Sequence, residues 1–290
     1  MKKIMLSNLH VIDTHKTSLI FEIQKAEDPS TGKKYAVKIM RHSSVSNKTH
    51  HRLAKNEWKA VKSLKHKNLL SYHGFGKKDK RPYIIMEWID STNLKSRIAA
   101  NLPDGLKNIP RDKVYDTRIW IETIVKQLIE VVIYIHQQNL IHCDLKPENF
   151  LLTEHDTVKL IDFSYARKKL FSLFRKARNI AGTPSFISPE QIKKEHLSEE
   201  SDIYSLGATI YYLLTGHPPY SAGTVQELLK KHLRSSHKPL YGYVPGIRKE
   251  FSDYIDKMLA ADKRNRLKNL SALRNEIDKH GIFPKLMETL

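Results

Sequence analysis

The spacing of apolar residues divides the chain into a strand-rich beginning and a helix-rich remainder. In the first 90 residues, short runs of alternating or continuous apolar character predict strands. These runs are SLIFEIQKA (Ser18–Ala26), YAVKIM, NLLSYHGF and PYIIMEWI. The turn sequence DPSTGKK between the first two runs predicts a hairpin. One helix is predicted in this part, Arg52–Lys65, because apolar residues recur there at helical spacing.

After about residue 91 the pattern becomes helical. The segment Ile119–Gln138 predicts a strongly apolar helix, and FSDYIDKMLA and LSALRNEIDKH predict two more. Asp202–Gly216 is apolar nearly all round and ends in a glycine, which predicts a buried helix with a glycine cap. The expected fold class is α+β, with a small β-rich part over residues 1–90 and a larger, mainly helical part over residues 91–290.

The composition is that of a globular protein that can bury a core. Hydrophobic residues make up 40% of the chain and charged residues 28%. The only cysteine, Cys143, excludes an intramolecular disulfide and favours a reducing compartment. No apolar run approaches the roughly 18 residues of a membrane helix, and the start, MKKIMLSNLH, is too short in its apolar part for a signal peptide. We expect a cytoplasmic protein, with delivery into a host cell as the open alternative.

The formal net charge of +19 favours anionic partners. Such a field attracts nucleic acid, anionic membranes and acidic proteins alike. The basic residues form small scattered clusters, and the chain has no RNP motif, zinc-finger spacing or basic zipper. Dedicated nucleic-acid binding is therefore disfavoured, while acidic protein segments, an anionic activator and a membrane surface stay open.

The stretch HCDLKPEN supplies three kinds of group that phosphoryl transfer requires. Asp144 is a candidate base, Lys146 a cation for phosphate, and Asn149 an oxygen ligand for a metal. Eighteen residues after Asp144, the run LIDFS presents Asp162, a second oxygen ligand of the kind that magnesium prefers.

Two further polar groups lie upstream in apolar surroundings. Lys38 belongs to the strand-like run YAVKIM, and Glu57 follows nineteen residues later in the predicted helix. A pairing between them would direct the lysine at phosphates. The alternative is an ordinary surface ion pair.

These motifs resemble, in order and spacing, those of eukaryotic-type protein kinases over roughly residues 10–280. The matching stretches are YAVK, the helix glutamate, YIIMEWI, HCDLKPEN, DFS, GTPSFISPE, SDIYSLG and ADKRNRL. Any single one is weak evidence, but a series in family order is specific. The resemblance implies a bilobal kinase fold with an N-lobe over residues 1–90 and a C-lobe over residues 91–290.

The resemblance also implies roles for individual residues. Asp144 would accept the proton of the substrate hydroxyl or orient that hydroxyl, and Lys146 would neutralise the transferred phosphate. The implied cofactors are ATP and Mg²⁺. Their implied contacts are Asn149 and Asp162 on the metal, Lys38 with Glu57 on the phosphates, the backbone of Glu87, Trp88 and Ile89 on adenine, and Met86, Ile20, Ala36 and Leu151 around the pocket.

Other matching residues are expected to be structural. Asp202 is expected to bond the backbone near Asp144, and Arg266 is expected to form a buried ion pair with Glu190. Lys146, together with Thr183 in GTPSF, resembles the serine/threonine members of the family.

The largest departure from the family is the stretch Ile12–Phe21, which we call the glycine-free loop. The family carries G-x-G-x-x-G here so that bare backbone can close over phosphates, whereas this chain has Asp13, His15 and Ser18. We expect side chains to hold the loop further from the phosphates. His15 and Lys16 are candidates for replacing backbone donors with cationic ones.

Two further departures lie near the candidate site. Ser164 replaces the glycine of DFG and is expected to stiffen the turn while leaving the metal ligand intact. Cys143 replaces the arginine that usually pairs with a phosphate on the activation loop, so we expect activity without phosphorylation there. Cys143 is expected to be a small packed residue, with a redox sensor as the alternative.

The expected function is an ATP- and Mg²⁺-dependent serine/threonine protein kinase. The very basic stretch YARKKLFSLFRKARNIAGT favours acidic substrate segments or an anionic activator, although a solvated loop explains it equally well. A nucleotide-binding scaffold with weak or no transfer is the main alternative, because the loop glycines are missing. A small-molecule kinase is disfavoured, since DLKPEN with GTPSF and SPE is typical of a peptide-binding platform.

Overall fold

A computed structural model describes residues 4–102, 104–169 and 184–284. The chain divides into two compact units. The N-terminal unit consists of Met1–Ser91 with Lys159–Ala166, and the C-terminal unit of Thr92–Val158 with Arg167–Leu290. The sequence pattern had placed one change of structure near residues 90–93, and it gave no sign that a later segment returns to the first unit.

The N-terminal unit is built on a five-stranded antiparallel sheet with the strand order β1-β2-β3-β5-β4. The strands are β1 (His10–Thr17), β2 (Phe21–Glu27), β3 (Lys34–Met40), β4 (Tyr72–Lys78) and β5 (Arg81–Glu87). Alternate residues of β3 enter different clusters: Tyr35, Val37 and Ile39 pack in one, while Ala36 packs in another with Ile84 and Met86. Lys38 alternates with the first set, as the strand period of two requires.

The helix α1 (Lys48–Val61) crosses the N-terminal unit with a buried face of Ala54, Glu57 and Val61. The side chain of Asn47 accepts hydrogen bonds from the amides of Thr49 and His50, so the helix begins at this cap. The predicted bounds, Arg52–Lys65, were therefore four residues late at both ends.

The strand predictions also need correction at their ends. Ser18–Ile20 form the turn between β1 and β2, whereas the sequence pattern assigned them to the strand. Most of the stretch expected to be a loop, from Ile12 onward, lies in β1. The run NLLSYHGF enters a strand only at Tyr72, since its leading residues form a turn.

The C-terminal unit is mainly helical. Its described helices are α2 (Leu94–Asn101), α3 (Val114–Gln137), α4 (Pro189–Ile192), α5 (Glu199–Thr215), α6 (Val225–Arg234), α7 (Lys249–Met258) and α8 (Ser271–His280). The helix α5 is buried over nearly its whole length, and Gly216 caps it with a left-handed φ of 73°. The buried helix and its glycine cap are therefore confirmed.

Short strands and turns frame the motif HCDLKPEN. The strands β6 (Ser91–Asn93), β8 (Phe150–Thr153) and β9 (Val158–Leu160) form one small sheet, and β7 (Leu140–Ile141) pairs with β10 (Arg167–Lys168). The motif lies between β7 and β8. Single 3-10 turns occupy Leu6–Asn8, His42–Ser44, Gly105–Asn108, Arg111–Lys113, Pro147–Asn149, Pro184–Phe186 and Lys263–Asn265.

The segment Lys159–Ala166 joins the N-terminal unit through its backbone. Leu160 forms a parallel bridge with Leu69, and its amide donates to the Asn68 carbonyl at 2.9 Å. Asp162 therefore belongs to the same unit as Lys38 and Glu57. None of the helices in the described ranges has the length and apolar character that crossing a bilayer requires.

Candidate active site

The centre of the N-terminal unit's polar site is Lys38 on β3. Its Nζ lies 2.7 Å from Oε2 of Glu57 on α1 and 2.9 Å from Oδ1 of Asp162. The side chains of Lys38 and Glu57 are 10% and 1% exposed. The predicted pairing of these two residues is confirmed, and its burial excludes an ordinary surface ion pair.

The opposite charges of Lys38 and of the two carboxylates, Glu57 and Asp162, stabilise one another. Burial alone would lower the pKa of the Lys38 ammonium, but the carboxylates of Asp162 and Glu57 outweigh burial and raise it. Burial raises the pKa of Glu57, and the attraction of Lys38 opposes that rise. The ring of Phe21 adds a cation–π contact with Lys38 Nζ at 5.0 Å. The lysine is thus held charged in a largely dry environment.

The turn that carries Asp162 is attached to α1. Asp162 itself adopts a left-handed φ of 62°. The Ser164 hydroxyl lies 2.7 Å from Asp162 Oδ1 and 3.0 Å from Glu57 Oε2. Ser164 was expected to stiffen the turn and leave the metal ligand intact, and its hydroxyl adds a direct bond to the Asp162 carboxylate that was not expected.

A second polar group lies in the C-terminal unit, in the loop after β7. Asp144 is 7% exposed, and its Oδ2 lies 3.0 Å from Lys146 Nζ. Asn149 Nδ2 donates to the Asp144 carbonyl at 2.8 Å and to its Oδ2 at 3.1 Å. Lys146 and Asn149 together fix the direction of the Asp144 carboxylate.

The backbone of this loop is fixed by a buried carboxylate on α5. Asp202 accepts hydrogen bonds from the amide of His142 at 2.7 Å and from the amide of Cys143 at 2.8 Å. The expected structural role of Asp202 is confirmed. Gln191 Nε2 also donates to the Cys143 carbonyl at 2.9 Å. Both contacts hold the segment that immediately precedes Asp144.

Cys143 is a packed residue of the C-terminal unit. It is 4% exposed and lies in an apolar cluster with Ile141 and Leu197. Burial, followed by the nearby negative charge of Asp202, raises the pKa of its thiol well above the usual value. A thiolate is therefore disfavoured here at neutral pH.

The buried ion pair expected near SPE is also present. Arg266 NH1 and NH2 donate to the two carboxylate oxygens of Glu190 at 2.8 and 2.9 Å. Burial would raise the pKa of Glu190, but the hydrogen bonds and charge of Arg266 lower it below its usual value. This bidentate pair ties α4 to the turn that precedes α8.

The positions assigned to the nucleotide pocket are divided among several environments. Ala36 and Met86 pack in one cluster, which Trp88 and Ile89 flank. Ile20 packs instead with Phe21, Met40 and Ala54. The amide of Glu87 donates to the Ser71 carbonyl, and Leu151 lies on β8 in the C-terminal unit.

The glycine-free loop forms a hairpin without positive φ angles, and its strand β1 pairs with β2 through two register irregularities, between Val11 and Asp13 and between Thr14 and Lys16. Ser18 ties its turn, because its amide and hydroxyl each donate to the Phe21 carbonyl at 2.8 Å. No residue from 10 to 21 has a positive φ. The hairpin therefore folds without glycine and without backbone strain. The His15 ring packs edge-on against Trp88 at 5.1 Å, so this side chain has a packing role.

Each unit, taken by itself, presents one oxygen donor of the kind that magnesium accepts. In the described ranges, no group of three or more His, Cys, Asp or Glu side chains could hold a metal. Magnesium is commonly bound by one or two carboxylates together with phosphate oxygens and water. Asp162 supplies a carboxylate, and Asn149, whose amide nitrogen is engaged with Asp144, supplies an amide oxygen.

Two contacts in the site had not been predicted, those of Asn56 and Phe21. Asn56 precedes Glu57 in α1, and its Nδ2 donates to the carbonyls of Ser164 and Ala166, both at 2.8 Å. The only sequence signal is its place beside Glu57. Phe21 was noted as a strand residue, and nothing local indicates its contact with Lys38.

The comparison with known families agrees with this geometry. Residues 21–277 match the protein kinase domain. The chain belongs to the protein kinase family.

Curated relatives are named as protein kinases from bacteria and eukaryotes. The chain is 27% identical to the serine/threonine-protein kinase PrkC of Bacillus subtilis, over 87% of this chain and 37% of the relative. It is 26% identical to a probable serine/threonine-protein kinase PknB of Bifidobacterium longum, over 88% of this chain and 37% of the relative. It is 28% identical to myosin light chain kinase A of Dictyostelium discoideum, over 86% of this chain and 80% of the relative. The chain thus spans little more than a third of the two bacterial relatives.

Proposed function

We propose that this protein is an ATP- and Mg²⁺-dependent serine/threonine protein kinase. The observation that carries the proposal is the buried Lys38, which is held between Glu57 and Asp162 at 2.7 and 2.9 Å. Burying the charges of Lys38 and Glu57 together is costly unless they are paired and bonded. Phosphoryl transfer provides a use for such a preorganised cation, because its catalysis depends on positioning and electrostatic stabilisation.

In the proposed mechanism, Lys38 binds the α- and β-phosphates of ATP and Glu57 keeps its ammonium in place. Asp162 and Asn149 would hold magnesium, which would supply positive charge to the phosphates. Asp144 orients the substrate hydroxyl and accepts its proton. Lys146, 3.0 Å from Asp144, neutralises charge on the phosphoryl group as it moves. A lysine at this place supports serine and threonine as the acceptors.

We propose further that transfer does not require a phosphate on the activation loop. In the usual arrangement an arginine beside the catalytic aspartate pairs with that phosphate, and Cys143 occupies this place. Its buried neutral thiol has no charge to offer. Most of the basic stretch, residues 170–183 including Thr183, lies outside the described residues. Phosphatase-treated protein should keep the activity of untreated protein, and loss of activity on treatment would contradict this.

The proposed substrates or activators carry acidic protein segments. The outer face of α1 and its C-terminal cap support this through five exposed cations spaced three and four residues apart: Lys48, Arg52, Lys55, Lys59 and, at the cap, Lys62. This spacing places them along one side of the helix. Within the described residues none of them forms an ion pair. No large apolar side chain is exposed on α1, which favours an acidic protein over insertion into a membrane.

The experiment that tests the catalytic proposal is transfer of the γ-phosphate from ATP to acidic and basic protein substrates. Asp162→Asn should reduce kcat by at least a hundredfold, because the carboxylate that would hold magnesium is lost. The exposed Asp253→Asn is the matched control and should behave as wild type. Equal rates for wild type and Asp162→Asn would contradict the proposal.

The glycine-free loop motivates a second candidate, a nucleotide-binding scaffold. In that case ATP binding would be measurable by calorimetry while transfer would be equal in wild type and Asp162→Asn. Transfer that is lost in Asp162→Asn excludes the scaffold.

A further inference from the structure

Ser164 connects two carboxylates of the site through one hydroxyl. Its Oγ lies 2.7 Å from Asp162 Oδ1, 3.0 Å from Glu57 Oε2 and 3.4 Å from Lys38 Nζ. Ser164 is 4% exposed, so water cannot easily replace these bonds. A hydroxyl has one proton, and it therefore donates to one carboxylate at a time. Lys38 bonds both carboxylates, so the four groups form a closed polar cluster.

Asn56 attaches the same turn to α1 at a second point. Its Nδ2 uses both protons, donating to the carbonyls of Ser164 and Ala166 at 2.8 Å each. Asn56 and Glu57 are consecutive residues of α1. Adjacent side chains of this helix thus bond the backbone and the side chain of a turn that lies 108 residues later.

The turn needs such support because Asp162 adopts an unfavourable backbone conformation. Its φ of 62° lies in the left-handed region, which is uncommon for residues other than glycine. Conformations of this kind persist where surrounding contacts determine them. The contacts that do so here are the Ser164 hydroxyl, the Lys38 ammonium and the Asn56 amide.

We propose that Asn56 and Ser164 are positioning residues that fasten the Asp162 turn to α1 before nucleotide binds. We call these two residues and their bonds the turn latch. The latch couples Asp162 to the Lys38–Glu57 pair, so the three charged groups take their places together. A glycine at position 164 has no hydroxyl, and a chain with glycine there has no such bond to offer. The role of the latch in transfer rests on the proposed kinase function.

The first test measures the turn without nucleotide, and therefore does not depend on activity. Amide hydrogen exchange would be followed over Asp162–Ala166 in wild type, Ser164→Ala and Asn56→Asp. Asn56→Asp is nearly isosteric, but it removes both donated protons and places a carboxylate against two carbonyls. We expect exchange to become at least tenfold faster in both variants. Ser63→Ala, an exposed serine beyond the end of α1, is the matched control and should not change it.

The second test measures what the turn positions. In both variants the magnesium concentration for half-maximal transfer should rise at least fivefold and kcat should fall, while KM for the protein substrate stays unchanged. A residue that only stabilises the fold would lower the melting temperature without moving the magnesium requirement.

The outcomes separate the latch from the kinase proposal. Unchanged exchange in either folded variant overturns the latch, and so does an unchanged magnesium requirement when exchange is faster. If exchange is faster in the variants but the wild-type protein itself transfers no phosphate, the latch is supported as a structural coupling. The kinase function is then refuted instead. If Ser164→Ala fails to fold, Asn56→Asp decides alone, because Asn56 is half-buried and leaves the hydroxyl cluster intact.

Discussion

At the scale of single residues, Cys143 combines burial with a left-handed φ of 67°. A non-glycine residue in this region is held by its surroundings. Here the Cys143 amide donates to Asp202 and the Cys143 carbonyl accepts from Gln191. The same burial that packs the thiol raises its pKa. The two interpretations of Cys143, a packed residue and a redox sensor, therefore differ in a measurable property, the reactivity of its thiol in the folded protein.

We predict that Cys143 resists alkylation until the protein unfolds. Iodoacetamide reacts with the thiolate, which the raised pKa suppresses near pH 7.5. Labelling followed by mass spectrometry should be at least a hundredfold slower in native protein than in urea. Rapid labelling of the folded protein would support the redox interpretation.

Arg266 is a buried residue whose guanidinium group donates five hydrogen bonds. It donates to Glu190 twice and to the carbonyls of Ala260, Glu200 and Ala261, at distances between 2.7 and 3.1 Å. These bonds occupy all five of its N–H donors. Its guanidinium is fully buried, with a side-chain exposure of 0%.

We predict that Arg266→Ala lowers the free energy of unfolding by about 3–5 kcal/mol, because it leaves Glu190 buried and unpaired. Arg266→Lys should recover less than half of this loss, since an ammonium has only three donors. The exposed pair Lys249–Asp253 provides the control, and Lys249→Ala should leave the free energy of unfolding essentially unchanged. Urea denaturation measures all three, and equal losses would show that burial is not the cause.

At the scale of elements, α6 is anchored by a histidine that is kept neutral. His232 is fully buried, its Nδ1 lies 2.8 Å from the Tyr204 hydroxyl, and its ring packs 4.6 Å from that of Tyr220. Burial lowers its pKa to about 4, against a smaller opposite effect of the Pro184 backbone. The ordinary value is 6.5, so the unfolded chain takes up this proton at higher pH than the folded one.

We predict that this difference between the folded and unfolded pKa of His232 lowers the free energy of unfolding in acid. A depressed histidine pKa means that stability is complete above pH 6.5 and is lost as the pH falls toward 4. The loss from this group reaches about 3 kcal/mol at most. Comparing urea midpoints of wild type and His232→Gln from pH 7 to pH 4 isolates it, because glutamine stays neutral. Parallel curves for the two proteins would show that His232 does not titrate between these limits.

Local patterns predicted the elements better than their ends. The apolar periodicity of α3 and α5 was strong enough to identify both helices, whereas α1 starts at Asn47, a cap that the pattern of apolar residues does not reveal. β1 escaped prediction because its residues are all exposed and show no apolar alternation. Its strand structure comes from pairing with β2, which is a tertiary effect.

At the scale of the whole molecule, the sequence predicted which chemical groups form the site more fully than the long-range hydrogen bonds that hold them. The family resemblance identified Lys38, Glu57 and Asp162 as candidate site residues. In the structure, Lys38 lies within hydrogen-bonding distance of both Glu57 and Asp162. The contacts of Asn56 with Ser164 and of Ser164 with Glu57 join residues more than a hundred positions apart in the sequence. They follow no periodicity, so no local sequence pattern predicts them.

The distribution of charge over the molecule gives a prediction about partners. The exposed cations on the outer face of α1 form no ion pair within the described residues, whereas the exposed Lys249 of α7 pairs with Asp253. We predict that the variant Arg52→Glu/Lys55→Glu/Lys59→Glu binds a synthetic helical peptide with glutamates three and four residues apart at least tenfold more weakly. Fluorescence anisotropy at about 0.1 M salt measures this, with screening still moderate.

The matched control for this prediction reverses three exposed cations of the β4–β5 hairpin: Lys77, Lys78 and Lys80. Both triple variants change the net charge by the same amount. An equal loss of binding in the two would indicate a general field of the protein, and tighter binding of duplex DNA or anionic vesicles than of the peptide would indicate a different partner.

The return of Lys159–Ala166 to the N-terminal unit also affects the order in which the protein is made. A nascent chain emerges from its N-terminus, and domains tend to fold as they become complete. The first five strands and α1 leave the ribosome long before Leu160 can pair with Leu69. During that interval the unit lacks its last segment, and Lys38 and Glu57 have no third partner. The N-terminal unit therefore finishes folding only after the first segment of the C-terminal unit, Thr92–Val158, has been synthesised.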